Sequence, residues 1–381
     1  MSQSATGQRS NRAATRLAFL VAGFGIACWA PLVPYAKQRL GVEEGAFGLL
    51  LLCIGIGSIV TMTFAGGLSA RYGTRRVIVA GGIGLALLLP LLATASTGLT
   101  LAMALLVFGG SLGSIDVAMN IHAAEAETAS GKPLMSGFHA LFSIGGFAGS
   151  GLMTALLAGG FPALGSALAC AAIIVLLVFI AWPRLILTRN RDDGHALAMP
   201  CGPVVLLSVL AAVIFLAEGA LLDWSALLLT EQGHVEEGQG GIGYILFAVA
   251  MTAGRLAGDR LTTGIGDSAT LLGGGMLTVL GFVVLLACPI TTIALSGFLL
   301  IGLGASNIVP VLLRQAGRQK VMPVALAIGA ITTLGYAGIL AGPAGIGFVA
   351  QAVGLPAAFW LVAALVFFVP LCATRATRRE S

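Results

Sequence analysis

Of the 381 residues only 9% are charged while 58% are hydrophobic, far from the roughly 25% charged share of a soluble domain. This balance excludes an ordinary water-soluble domain and reads as a polytopic membrane protein whose first partner is the lipid bilayer. The net charge of +5 follows from topology, as shown below, and no nucleic-acid partner is expected.

Apolar runs long enough to cross a bilayer, about 20 residues each, predict twelve helical spans near 17–36, 45–69, 76–96, 99–123, 134–158, 163–183, 203–229, 240–258, 269–288, 291–313, 322–350 and 355–373. The first run follows Arg9, Arg12 and Arg16 as a signal peptide would, but it is too long and lacks a small-residue cleavage site. Lys and Arg accumulate on the cytoplasmic side of membrane proteins. With the N-terminus inside, every basic residue except Lys37 and Arg39 falls on the inner side or at an inner helix end. The inner set includes Arg71, Arg75 and Arg76, then Arg184, Arg189 and Arg191, then Arg314, Arg318 and Lys320, and last Arg375, Arg378 and Arg379. An even number of spans then leaves both termini cytoplasmic.

The chain repeats itself. A shift of 195 places Trp29-Ala30-Pro31-Leu32 on Trp224-Ser225-Ala226-Leu227, and a shift of 196 places Gly146-Phe147-Ala148-Gly149-Ser150-Gly151 on Gly342-Pro343-Ala344-Gly345-Ile346-Gly347. Two homologous six-helix halves are predicted, 1–183 and 203–381, joined by a cytoplasmic linker at 184–202 that carries Asn190-Arg191-Asp192-Asp193-Gly194. The fold class is therefore an all-α membrane protein of twelve transmembrane helices in two pseudo-symmetric halves.

Polar residues sort the spans. The third, sixth, ninth and twelfth hold no charge within their apolar runs beyond Arg76 at the very start of the third and suit a lipid-facing position. The first, fourth, seventh and tenth carry Trp29, Asp116, Asn120, Glu218, Asp223, Trp224 and Asn307, which are expected to line a central cavity. Asp116 is the sharpest of these. A charge near the bilayer centre costs at least ~2.5–3.5 kcal/mol on insertion scales, so this carboxylate is expected to carry proton coupling, with Asn120 four residues on along the same face. Glu218 is the second coupling candidate. It stands five residues from Asp223, about 140° around a helix, so the two are expected to have different tasks. His139, about 9 Å into the fifth span, is expected to approach Asp116. Trp29 and Trp224 are candidates for substrate stacking, and Asn120, Asp223, Asn307, Thr333 and Tyr336 for polar recognition of a solute. The glycines of the fifth and eleventh spans predict close helix approach.

The loop Gly66-Gly67-Leu68-Ser69-Ala70-Arg71-Tyr72-Gly73-Thr74-Arg75-Arg76 resembles the G-x-x-x-D-R-x-G-x-R-R loop of the major facilitator superfamily, with Ala70 where that family has an acid. Gly254-Arg255-Leu256-Ala257-Gly258-Asp259-Arg260 resembles the same loop's counterpart in the second half. The resemblance implies a cytoplasmic gate built from Gly66, Arg71, Gly73, Arg75, Arg255 and Asp259. Within the superfamily, Gly113 to Asn120 is similar to the fourth-span G-x-x-E-x-A-x-N of the fucose–proton symporter group, which implies that Asp116 is the proton-linked carboxylate and Asn120 a cavity amide. It also implies residence in a bacterial inner membrane.

No Lys or Arg is placed mid-membrane by this reading, and a site for phosphate esters or dicarboxylates normally supplies a fixed cation. The expected activity is therefore alternating-access transport of a small polar solute, a sugar by preference, coupled to protons. The alternatives are a drug or metabolite efflux carrier of the same superfamily and a membrane sensor that binds without transporting. An enzyme is not expected, since H-E-x-x-H and G-x-S-x-G are absent. The six cysteines form no C-x-x-C pair, so neither cofactor nor metal is expected, and the chain is expected to be a monomer.

Overall fold

A computed structural model describes residues 5–41, 44–186, 199–235 and 241–378. Residues 187–198 of the expected linker, with Arg189 and Arg191, lie outside the described residues, as does Arg379. Every regular element among the described residues is helical, because a backbone crossing hydrocarbon must satisfy its own N–H and C=O groups. In chain order the helices are α1 (Ala5–Ala27), α2 (Val33–Leu40), α3 (Glu44–Tyr72), α4 (Thr74–Thr94), α5 (Gly98–Ser130), α6 (Met135–Ala158) and α7 (Ala163–Ala181). They continue with α8 (Pro203–Glu231), α9 (Ile242–Ala287), α10 (Thr291–Ala305), α11 (Ile308–Arg318), α12 (Val324–Val353), α13 (Leu355–Val366) and α14 (Phe368–Ala376).

Eleven stretches among the described residues are long and apolar enough to span a membrane. One of them, α9, has 46 residues, or about 69 Å of rise against a hydrocarbon core of about 30 Å. It breaks at Gly266, where φ 84° and ψ 166° are not helical. Phe247 before the break packs at Gly302 of α10, and Thr278 after it packs at Gly304, so the chain folds back there and α9 supplies the eighth and ninth spans. Twelve spans result. The first, tenth and twelfth are each interrupted. In the tenth, Pro310 has no N–H for the Ser306 carbonyl, and Asn307 sits at the break with φ −108° and ψ 0°.

The helices cluster into two compact units, one of Met1–Gly131 with Leu141–Met199, the other of Lys132–Ala140 with Pro200–Ser381. Lipid tails are as apolar as leucine, so helices associate inside a bilayer by close packing at small residues. In the first unit a Cβ on Gly109 of α5 would stand 2.0 Å from the Ile54 carbonyl oxygen of α3. Ser58 Oγ seals that contact by donating to the Gly109 carbonyl at 2.8 Å. The expected close approach of the fifth and eleventh spans is present within each unit. Gly149 of α6 meets the Phe24 carbonyl of α1, and Gly338 of α12 meets the Ala212 carbonyl of α8, a Cβ at either lying 2.3 Å from that oxygen.

Polar side chains tie down the ends. Arg39, one of the two basic residues placed outside, spreads its guanidinium over the C-terminus of α4, donating to Ala95 O at 2.8 Å, Ala93 O at 2.6 Å and Leu92 O at 3.0 Å. A cation there also complements the helix dipole. His122 is structural: its Nδ1 shares a hydrogen bond with Thr15 Oγ1 at 3.0 Å and its Nε2 accepts from Ile186 N at 2.9 Å.

These contacts predict that Gly109→Leu lowers the thermal unfolding midpoint in detergent, at a cost of about 1–3 kcal/mol or more from overpacking against backbone that cannot step aside. Gly151→Ala, which would meet nothing within 4 Å, should leave the midpoint unchanged or raise it slightly.

Candidate functional site

The fourth span is built to hold one carboxylate deep. Thr97 and Thr100 start α5 with a reciprocal capping box, and Gly131 ends it in the left-handed conformation. Asp116 lies 18 residues along this 33-residue helix, about 27 Å from its start. It is 8% exposed. Among the described residues its carboxylate has neither a hydrogen bond nor an ion pair. Asn120, one turn on, spends an amide proton on the Asp116 backbone carbonyl at 2.9 Å, and its buried Oδ1 has no donor.

The second unit holds a different arrangement. Glu218 of α8 and Arg255 of α9 form an ion pair, Oε1 to Nη2 at 3.9 Å, with side chains 22% and 10% exposed. Arg255 stands 13 residues after Ile242 and 10 before Ile265, about 20 Å and 15 Å from the two ends of the eighth span. The sequence reading gave Arg255 to the gate; the structure places it inside the eighth span, one turn before Asp259. The helix runs on to Ile265 before it turns, so Arg255 is inside the span. The signal that could have found it is its position within the apolar run 240–258, one turn from Asp259. Glu218 Oε1 is buried without a hydrogen bond, so the pair is held by charge and not by a fork of short contacts. His139, on the segment of α6 that clusters with the second unit, has Arg255 as its electrostatic neighbour. Tyr244 is a further neighbour of the pair. Asp223 is exposed and, like Glu218, is a charge neighbour of Tyr244.

Trp29 is 4% exposed at the break between α1 and the turn Ala30–Leu32. Trp224 packs beside Gly347 of α12, with its buried Nε1 lacking an acceptor. Asn307 donates to the Gly254 carbonyl at 3.0 Å and to Ser306 Oγ at 2.8 Å, which pins the tenth span's break to the eighth span. Its Oδ1 is buried without a donor. Thr333 returns its hydroxyl to Gly329 O at 2.7 Å, and Tyr336 lies edge-on to Phe215 with ring centroids 6.2 Å apart. Buried polar atoms are rarely left unmatched. Several serine and threonine hydroxyls, Gln232 Oε1 and single nitrogens of Arg12, His139, Arg255 and Arg314 share this state; the unmatched atoms of Glu218, Trp224, Asn120 and Asn307 lie on the fourth, seventh and tenth spans.

At the loops, Gly66 is buried in the last turns of α3, and Gly73, with φ 88° and ψ 141°, separates α3 from α4. Arg71 stacks on Tyr72 at 5.3 Å and Arg75 on Trp182 at 5.8 Å. Asp259 caps the first turn of α6, accepting from Ser136 N at 3.0 Å and Gly137 N at 2.9 Å. A carboxylate at a helix N-terminus satisfies free N–H groups and the dipole together. Ala70, at the matching place in the first half, has no side chain that could do so.

Removing one partner of a buried ion pair strands the other charge. Arg255→Ala should therefore destabilise the protein by ~3–5 kcal/mol, while Arg255→Met combined with Glu218→Leu recovers most of that loss. Chemical unfolding in detergent measures both. A double-variant loss equal to the sum of the Arg255→Met and Glu218→Leu losses would show that the pair carries no coupling energy.

The Major Facilitator Superfamily model matches residues 17–321. The chain is 48% identical over 370 residues to an uncharacterized MFS-type transporter of Yersinia pestis, covering 97% of this chain and 96% of that protein. Among solved structures it is similar to FucP, the fucose–proton symporter of E. coli, in its outward conformation, with TM-score 0.79, 17% identity and coverage of 97% and 99%. It is also similar to the human organic anion transporter MFSD10, with TM-score 0.77, 19% identity and coverage of 96% and 99%. The chain is thus a membrane transporter and belongs to the Major Facilitator Superfamily.

Proposed function

We propose that the protein is a proton-coupled carrier of a small polar solute, with Asp116 as the coupling carboxylate. The observation that carries this reading is a buried acid, deep in the fourth span, with no partner among the described residues. A structural carboxylate would be matched by a donor or cation. One that must gain and lose a proton as its surroundings change from wet to dry is better left unmatched. Glu218 is the reserve candidate, though its pairing with Arg255 suits it less to a free exchange of protons. Import together with a proton is the direction proposed, in an inner membrane with both termini cytoplasmic. The distribution of basic residues supports that orientation.

A sugar or polyol remains the preferred solute class. Arg255 is neutralised by Glu218, so the pair adds no net charge, and the unmatched amide and indole atoms are of the kind that bind hydroxyls. One observation favours a second reading, transport of an organic anion: Arg255 is a buried cation in a loose pair, and a solute carboxylate that displaced Glu218 would find it.

The test uses proteoliposomes and a panel of labelled hexoses, pentoses, polyols and sugar acids. Asp116→Asn keeps the shape of the side chain but fixes a neutral group. It should abolish accumulation driven by a pH gradient while solute exchange at equal pH persists. Accumulation that survives in Asp116→Asn would remove Asp116 from coupling and turn attention to Glu218. Loss of exchange in a folded, inserted protein would make Asp116 a solute ligand.

A further inference from the structure

A cavity of about 600 Å³ opens within the second unit where α8 begins, α9 turns at Gly266, and α11 and α14 end. Four cations line it: Arg318, Lys320, Arg375 and Arg378. Asp267, the acid in its wall, is already spent, taking Arg314 Nη1 at 2.5 Å, Gln315 Nε2 at 2.6 Å and Arg318 Nη1 at 2.8 Å. Lys320, Arg375 and Arg378 have no acidic partner among the described residues. The loop bearing Lys320 is held in place, since Gln319 donates to Met322 O at 2.7 Å and accepts from Val321 N and Met322 N at 2.8 and 2.9 Å.

Basic residues at a membrane surface are ordinarily solvated topology signals. Three features set this group apart. The cations line a hollow instead of projecting from a convex end; its lining also holds apolar residues, among them Leu207 and Ile265; and exposed apolar side chains lie near its basic residues. Ile265 is 52% exposed, and Leu371, one turn before Arg375 on α14, is 60% exposed. A phosphate held by the cations would have its acyl chains beside these residues. We infer that this cavity is a binding site for the phosphate group of an anionic phospholipid of the leaflet on the side where the chain ends. Basic pockets between transmembrane helices suit such headgroups. Occupancy would join the ends of four helices across the turn at Gly266.

The experiment is a native mass-spectrometric titration of the full chain in nonionic detergent with phosphatidylglycerol, with phosphatidylcholine of the same acyl chains, and with inorganic phosphate. Phosphatidylglycerol should be retained in preference to phosphatidylcholine. The exposed-site variant Lys320→Gln/Arg375→Gln/Arg378→Gln should weaken its retention by roughly tenfold or more. Arg71→Gln/Arg76→Gln/Arg184→Gln, which removes the same charge elsewhere, should not. Equal loss in both variants would reduce the effect to net charge and overturn the site. So would equal retention of the two lipids. Retention of inorganic phosphate without a preference for phosphatidylglycerol would overturn the lipid as its source.

Discussion

The cost of holding charge away from water governs this protein. A carboxylate or guanidinium inside a bilayer must be paired, wetted or used, and the two units solve the problem differently. In the second, Glu218 and Arg255 neutralise each other at 3.9 Å, which leaves an ionic site with no net charge and with Glu218 Oε1 still unmatched. In the first, Asp116 has no such partner among the described residues. Everything about α5 that could relieve it is directed elsewhere, Asn120 included, whose donor goes to the backbone. The first unit thus holds an unmatched acid and the second an internally balanced pair.

Small residues let the helices pack closely. Helices meet through glycines at carbonyl contact, as at Gly109 on Ile54 and Gly338 on Ala212, which brings their backbones together. Bends are placed by residues with specific defects, among them Pro310 and Gly266. The break at Asn307 is then tied to Gly254 by a side-chain hydrogen bond. Asp259 anchors the start of α6 with two backbone hydrogen bonds, whereas the matching position in the first half is Ala70. The corresponding loops of the two halves are thus similar in sequence and unequal in what they hold.

Much of this was legible in the sequence because bilayer thickness and apolar run length are tightly linked. Twelve spans, the fold-back near Gly264 to Gly266 and the glycine contacts of the fifth and eleventh spans all follow from local pattern. The sequence also singled out Asp116, since one charge in an apolar run is conspicuous. Arg255 was given to the gate by its motif-like neighbourhood, Gly254 to Arg260, and its pairing with Glu218 has no local marker because it joins two helices. Arg39 on the end of α4 and His122 between Thr15 and Ile186 were illegible as contacts, because each joins segments more than 50 residues apart.

The central claim is that solute and proton move together in one direction through this chain. It is tested most directly by bath pH in a weakly buffered suspension of proteoliposomes holding the native protein, with members of the sugar and polyol panel added outside. The account predicts that a transported solute makes the bath more alkaline as it enters, and that a protonophore abolishes the change. Entry of labelled solute with no movement of bath pH would contradict it.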